Sequence, residues 1–285
     1  MTMPPLADDL PDEALRVLAT ATRHETFFQE RRMVWHAWGM GEPLILLHGG
    51  SGSWTHWLRN AEALAAQGRQ VFAADLPGCG DSDPPSEGRG ADADALVAPV
   101  ASGIAQLTGG RAFDLVGFSF GSLVGGLIAA DQPPPGLRGL VVVGAPALAL
   151  GGRPVRLLEW RHLATRQERD AVHRGNLAAL MMADEGAITP VVVALHAANL
   201  DRDRLRRRRL SQTDALEQAL KRVACPLHAI YGSQDVLYRD RLLALEASLR
   251  STPALASLRF IPGAGHWVQF EAPDAFLRAL DDALK

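Results

Sequence analysis

The chain of 285 residues is predicted to fold as an α/β structure, with a mostly parallel, eight-stranded sheet flanked by helices. Three observations predict it. Short apolar runs recur and end in turn-forming loops, as Leu44-Ile45-Leu46-Leu47 does before His48-Gly49-Gly50; strands covered on both faces read this way. Segments of helical spacing fill the intervals between these runs, the rhythm of a parallel sheet with helices on its faces. The alternation breaks once, from 147 to 222, where helical patterns succeed one another, and then resumes.

In order, Asp12 to Ala21 is amphipathic, and Arg23–Gln29 with Met33–Trp38 reads as a hairpin. After the apolar run at 44–47, Trp54 to Gln67 has helical spacing and Gly68 stops it. Gln70–Ala74 is the next strand, followed by a loop of turn formers from Asp75 to Asp81. Helix 94–107, strand 113–116, helix 119–131 and strand 140–143 follow. Beyond the break come strand 227–231, helix 239–249, strand 258–261 and helix 272–284. The domains expected are therefore a core in two parts, 1–146 and 223–285, with 147–222 as a helical cap inserted before the last two strands.

Composition narrows the function classes. Hydrophobic residues are 47% and charged residues 21%, the balance of a globular chain large enough to bury its own core. The net charge is −3, yet residues 147–222 hold 14 Lys and Arg against 9 Asp and Glu, so the cap is basic and the remainder acidic. Basic residues without interleaved aromatics do not point to nucleic acid. No apolar run reaches the roughly 18 residues of a membrane span, and the acidic, proline-containing N-terminus does not read as a signal peptide. A cytoplasmic protein without membrane association is expected. Cys79 and Cys225 lie far apart and outside any CxxC pair, so neither a disulfide framework nor a thiolate metal site is expected.

Gly117-Phe118-Ser119-Phe120-Gly121 matches G-x-S-x-G, and an apolar run precedes it while a helical segment follows. That is the setting in which a serine sits on a tight strand-to-helix turn with its hydroxyl exposed. Ser119 is the candidate nucleophile. A hydroxyl needs a base. Of nine histidines, His266 alone lies on a Gly-rich loop between the last strand and the last helix. His24, His36 and His228 fall within strands, His162, His173 and His196 within the insertion, and His48 braces a turn. Asp235, in the loop after the strand that follows the insertion, is the candidate acid that orients His266, with Asp240 the reserve. His48-Gly49-Gly50-Ser51-Gly52 follows a strand, where backbone amides can meet a developing oxyanion; Gly50 and Phe120 are the candidate donors, with Ser51 next. No Lys-Ser/Thr or G-x-G-x-x-G accompanies these glycines, which removes the phosphate-loop alternative.

Taken together, His48-Gly49-Gly50, Asp75-x-Pro77-Gly78-x-Gly80-x-Ser82, Gly117-x-Ser119-x-Gly121, Asp235 and His266 resemble the α/β-hydrolase superfamily from about Arg23 to the C-terminus. The resemblance implies the α/β-hydrolase fold and a serine hydrolase with no cofactor or metal. Gly265-His266-Trp267-Val268-Gln269-Phe270-Glu271 further resembles a segment of the meta-cleavage-product hydrolases, which split carbon–carbon bonds in vinylogous diketo acids. Three positions depart from that subfamily. Phe118 stands where an asparagine usually precedes the nucleophile, and His56 near another expected asparagine. The cap arginine expected to take the substrate carboxylate has only Arg202 and Arg206 as stand-ins, in a 202–209 run that reads as a solvated helix face.

The expectation is hydrolysis of an ester, or of a carbon–carbon bond beside a carbonyl, in a small and largely apolar substrate. Ser51, Phe118, Trp160 and Trp267 are the candidate pocket residues. An iminopeptidase would call for acidic cap residues, and this cap is basic. A ligand receptor on an intact hydrolase scaffold is the reading from another class. The sequence leaves a homodimer open.

Overall fold

Continuous apolar runs cannot face water on either side, and the elements they form are stacked accordingly. The computed structural model describes residues 6–86, 91–151, 155–205 and 207–285. Its elements in order are α1 (Asp12–Leu18), β1 (Thr22–Phe28), β2 (Arg31–Trp38), β3 (Glu42–Leu47), α2 (Ala61–Ala66), β4 (Arg69–Asp75), α3 (Val97–Thr108), β5 (Phe113–Phe118), α4 (Phe120–Asp131) and β6 (Leu137–Val143). The insertion holds α5 (Arg166–Asn176), α6 (Pro190–Asp201) and α7 (Ala215–Leu220). The chain closes with β7 (Leu227–Gly232), α8 (Leu242–Arg250), β8 (Leu255–Ile261), α9 (Val268–Glu271) and α10 (Pro273–Ala283).

The eight strands form one sheet in the order β1-β2-β4-β3-β5-β6-β7-β8. Strand β2 is antiparallel to both β1 and β4, and all other pairs are parallel. Alternate residues go to opposite cores: Ile45, Leu47, Leu115 and Val142 meet α3, α4 and α8, while Leu44, Leu46, Val116 and Val141 meet α2 and α10. The chain leaves β3 toward β4 and returns on its other side to β5. Ligands of open α/β sheets bind outside the carboxyl ends at such a switch point. Within the insertion, α6 joins the second core, whereas α7 packs on α4 in the first.

The expected helix 54–67 is not continuous. A 3-10 turn spans Trp54–Trp57, Asn60 interrupts, and α2 begins at Ala61. Polar anchors cut it: Ser53 Oγ accepts the Thr55 amide, and Asn60 Nδ2 donates to the Gln269 carbonyl at 3.0 Å. All four residues of the 3-10 turn are buried, which a two-faced helix would not allow. Asp75 ends β4 with a fully buried carboxylate that accepts the Trp54 and Asp81 amides, both at 2.9 Å. Burial alone would raise its pKa; His36 beside it and those two amides outweigh burial and lower it. Among the described residues no helix is long and apolar enough to cross a membrane.

Candidate active site

Ser119 sits between β5 and α4 at φ 50°, ψ −116°. A non-glycine residue there carries about 1–3 kcal/mol of strain, which the surroundings must hold. They do so at two points: the Ser119 amide donates to the Val143 carbonyl at 2.7 Å, and Ser122 Oγ donates to the Gly117 carbonyl at 2.5 Å. The flanking glycines are steric necessities. A side-chain carbon on Gly117 would overlap the Gly121 carbonyl, and one on Gly121 would overlap the carbonyls of Leu47 and His48.

His266 follows β8, and its Nε2 lies 2.9 Å from Ser119 Oγ. Its Nδ1 lies 2.8 Å from Oδ2 of Asp235, which is wholly buried in the loop after β7. A carboxylate oxygen only accepts, so Nδ1 carries the proton and Nε2 is left to accept from the serine hydroxyl. The other carboxylate oxygen, Oδ1, accepts the Leu237 amide at 2.9 Å. Asp240 lies in the 3-10 turn that precedes α8.

The loop after β3 is braced from behind. His48 Nε2 accepts the Leu76 amide at 2.9 Å, while its Nδ1 lies 2.7 Å from the Gly49 carbonyl. The Gly49 amide donates to His56 Nδ1 at 3.1 Å, so it is committed to the protein. The amides of Gly50 and Phe120 have no hydrogen-bond partner among the described residues. Burial pushes the His48 pKa down, and pushes His56 well down with help from the nearby imidazoles of His48, His196 and His266. His56 is therefore neutral and able to accept at Nδ1.

A cavity of about 820 Å³ opens above these groups, with Gly50, Ser51, Phe118, Ser119, Phe120 and His266 in its lining. Leu148, Leu150, Val155, Leu157, Leu180 and Met181 give it apolar walls from the insertion. Trp160 and Trp267 are not in the lining. Trp267 is an anchor instead: its indole N–H donates to the His56 carbonyl at 3.0 Å and its ring stacks on Phe270 at 4.0 Å. Trp160 packs on His173 at 4.8 Å, with the Arg161 guanidinium over its ring.

The arginine run also departs from expectation. Arg202 to Leu205 is not helical, and Arg202 is buried to 1% exposure. Its guanidinium bonds Asp9 at 2.9 Å and Asp81 at 3.3 Å, so charge pairing outweighs solvation there. Arg206 lies outside the described residues. Arg208 lines the cavity, and no pattern within four consecutive arginines singles it out. Glu271 was legible only as the end of a motif. Its carboxylate accepts the Gly265 amide at 2.5 Å and the Asp184 amide at 2.6 Å, tying the His266 loop to the insertion. No group of three or more His, Cys, Asp or Glu among the described residues is placed to hold a metal ion.

Comparison with known proteins agrees with this geometry at the level of fold. The model of the alpha/beta hydrolase family matches residues 44–279. The chain is 28% identical over 263 residues to the 2-hydroxy-6-oxononadienedioate/2-hydroxy-6-oxononatrienedioate hydrolase of Comamonas testosteroni, covering 86% of this chain and 88% of that one. It is 28% identical over 259 residues to the 2-hydroxy-6-oxo-6-phenylhexa-2,4-dienoate hydrolase of Burkholderia cepacia, with the same coverages. Among solved structures, an esterase from Rhodococcus superposes with a TM-score of 0.68 at 22% identity, covering 92% of this chain and 98% of that one.

Proposed function

The chain belongs to the alpha/beta hydrolase family, and from that premise we propose that it is a serine hydrolase with Ser119 as nucleophile, His266 as base and Asp235 as orienting acid. The observation that carries the reading is the unbroken line from Ser119 Oγ through His266 to Asp235, at 2.9 and 2.8 Å.

His266 Nε2 takes the hydroxyl proton as Ser119 Oγ attacks the substrate carbonyl. The carbonyl oxygen becomes an oxyanion facing the unpartnered Gly50 and Phe120 amides. The imidazolium returns the proton to the leaving group as the bond to it breaks. Water then repeats the sequence on the acyl-enzyme, with His266 again as base, and releases the acid. Asp235 fixes the imidazole tautomer throughout and stabilises its charged form.

The substrate that fits is a small ester whose acid or alcohol part is apolar. A cavity of about 820 Å³ lies within the roughly 300–1,000 Å³ of small-molecule sites. Among the described residues the cation in its lining is Arg208, which is already met by Asp203 at 2.7 Å, so the cavity offers a substrate carboxylate no unmatched charge at that point. Carbon–carbon hydrolysis is the second reading, favoured by the activities named for the two relatives and by the presence of Arg208 in the lining.

A fluorophosphonate probe should label the wild type and leave Ser119→Ala unlabelled. Short p-nitrophenyl esters should turn over, with 2-hydroxy-6-oxo-dienoates turned over far more slowly. Equal labelling of Ser119→Ala would overturn the serine reading. Faster turnover of the dienoates would replace the ester reading with the carbon–carbon one.

A further inference from the structure

Ser51 is, like Ser119, one of six non-glycine residues with positive φ among the described residues, at φ 50°. It directly follows Gly50. A loop in that conformation needs something to hold it, and its hydroxyl donates to Asp203 Oδ2 of the insertion at 2.6 Å. The same oxygen accepts from Arg208 Nη2 at 2.7 Å, and Asp203 Oδ1 accepts the Leu205 amide at 3.0 Å. Both carboxylate oxygens are thus occupied, and the group has one orientation.

The segment that carries Asp203 is fastened to the core on either side of it. Arg202 bonds Asp9 and Asp81. The Arg204 amide donates to the Gly78 carbonyl at 2.8 Å, and its guanidinium donates to the carbonyls of Gly80 at 3.0 Å and Ser82 at 2.5 Å. Arg208 lies across Gly50: its Nε would be 3.0 Å from a side-chain carbon placed there. Its guanidinium carbon sits 5.5 Å from the Phe120 ring centre. One stretch of the insertion therefore lies beside both lining residues whose amides are unpartnered.

We infer that Asp203 is a positioning residue, holding the Gly50 amide in register through Ser51, so that seating of the insertion and completion of the oxyanion site are one event. The inference rests on the serine-hydrolase reading. It assigns Asp203 no contact with substrate. It requires that Ser51 and Asp203 act through a single hydrogen bond.

The test is a double-mutant cycle on a short p-nitrophenyl ester, with kcat and KM measured separately, and with inhibition by an aryl boronic acid that forms a tetrahedral serine adduct. Ser51→Ala and Asp203→Ala should each lower kcat by about 10- to 100-fold, less than the ~10²–10³ for outright loss of a donor, with KM changed by less than about threefold. Boronate inhibition should weaken by the same factor as kcat. The double variant should lose no more than Asp203→Ala alone, since Ser51→Ala removes no interaction that Asp203→Ala leaves in place. Asp203→Asn retains an acceptor and should lie between wild type and Asp203→Ala, a graded rescue that general destabilisation would not produce. Multiplying losses in the double variant, or single variants with wild-type kcat and boronate affinity, overturn the inference. A wild type whose turnover survives Ser119→Ala overturns the serine reading and the inference together. A Ser119-dependent wild type with unaffected Ser51→Ala and Asp203→Ala overturns the inference alone.

Discussion

Asp235→Asn tests the proposed division of labour most sharply, because the structure dictates how the amide must sit. Oδ1 of Asp235 accepts the Leu237 amide, so the amide oxygen of an asparagine has to stay on that side. Its NH₂ group is then aimed at His266 Nδ1, where Asp235 Oδ2 was 2.8 Å away. A donor facing Nδ1 selects the tautomer protonated on Nε2. The nitrogen beside Ser119 Oγ then carries a hydrogen and cannot take the serine proton. The substitution is isosteric and leaves every other contact in place, so the loss falls on chemistry rather than binding. General-base assistance is worth about 10²–10⁴, and the comparable exchange in a protease triad costs ~10⁴; kcat on p-nitrophenyl butyrate should drop by about 10³–10⁴ with KM nearly unchanged. The rate of fluorophosphonate labelling should fall in parallel, and circular dichroism should be that of the wild type. Activity within tenfold of wild type, in a variant that melts normally, would refute the assignment of Asp235.

Two further predictions concern stability. The buried imidazoles of His48 and His56 have lowered pKa values, and partly buried His196 is pushed down to about 3 by burial and by His173. Unfolded histidines titrate near 6.5, so the unfolded chain binds these protons first; stability is full above about pH 6.5 and declines below it by ~1.4 kcal/mol per pH unit per imidazole. Urea midpoints measured from pH 7.5 to 5 should fall steeply below 6.5, and a flat profile would contradict the neutral, buried state of these groups. Glu271→Gln should cost about 1.5–3 kcal/mol, because one of two amides bonded to a charged acceptor then faces an NH₂ group; urea unfolding with unchanged m-value checks it.

The sheet was legible because its strands are continuous apolar runs and its loops are punctuated by glycine and proline, both local signals. Ser119, His266 and Asp235 were singled out for related reasons: each follows a strand, and the topology brings the ends of parallel strands to one edge. What escaped the sequence is what depends on partners distant along it. The pattern at 54–67 is helical, yet Asn60 bonds the Gln269 carbonyl some two hundred residues away and the helix breaks. Gly49 and Gly50 are equivalent as letters, and only the His56 ring shows which amide is committed. Trp267 and Trp160 stand in the sequence as candidate pocket residues, and tertiary packing makes both anchors instead. A run of arginines reads as a solvated face until the carboxylates and carbonyls that other segments bring to it are known.

His56 links the stability of the chain to its proposed chemistry. The ring is packed against Phe118 and Trp267, and that burial keeps it neutral. Neutrality is what makes its Nδ1 an acceptor for the Gly49 amide. A proton on Nδ1 would face that N–H head on, so protonation cannot occur without releasing the loop. The loop is thus held on the core side by a group that tolerates no charge, and on the insertion side by a carboxylate, Asp203, shared with Arg208. Acid attacks the first support through the imidazole. A double substitution at Ser51 and Asp203 removes only the second. A His56→Phe variant removes the first support at any pH, so boronate affinity lost in that variant, with the Ser51–Asp203 bond intact, would report release of Gly49 from His56 and separate the two supports.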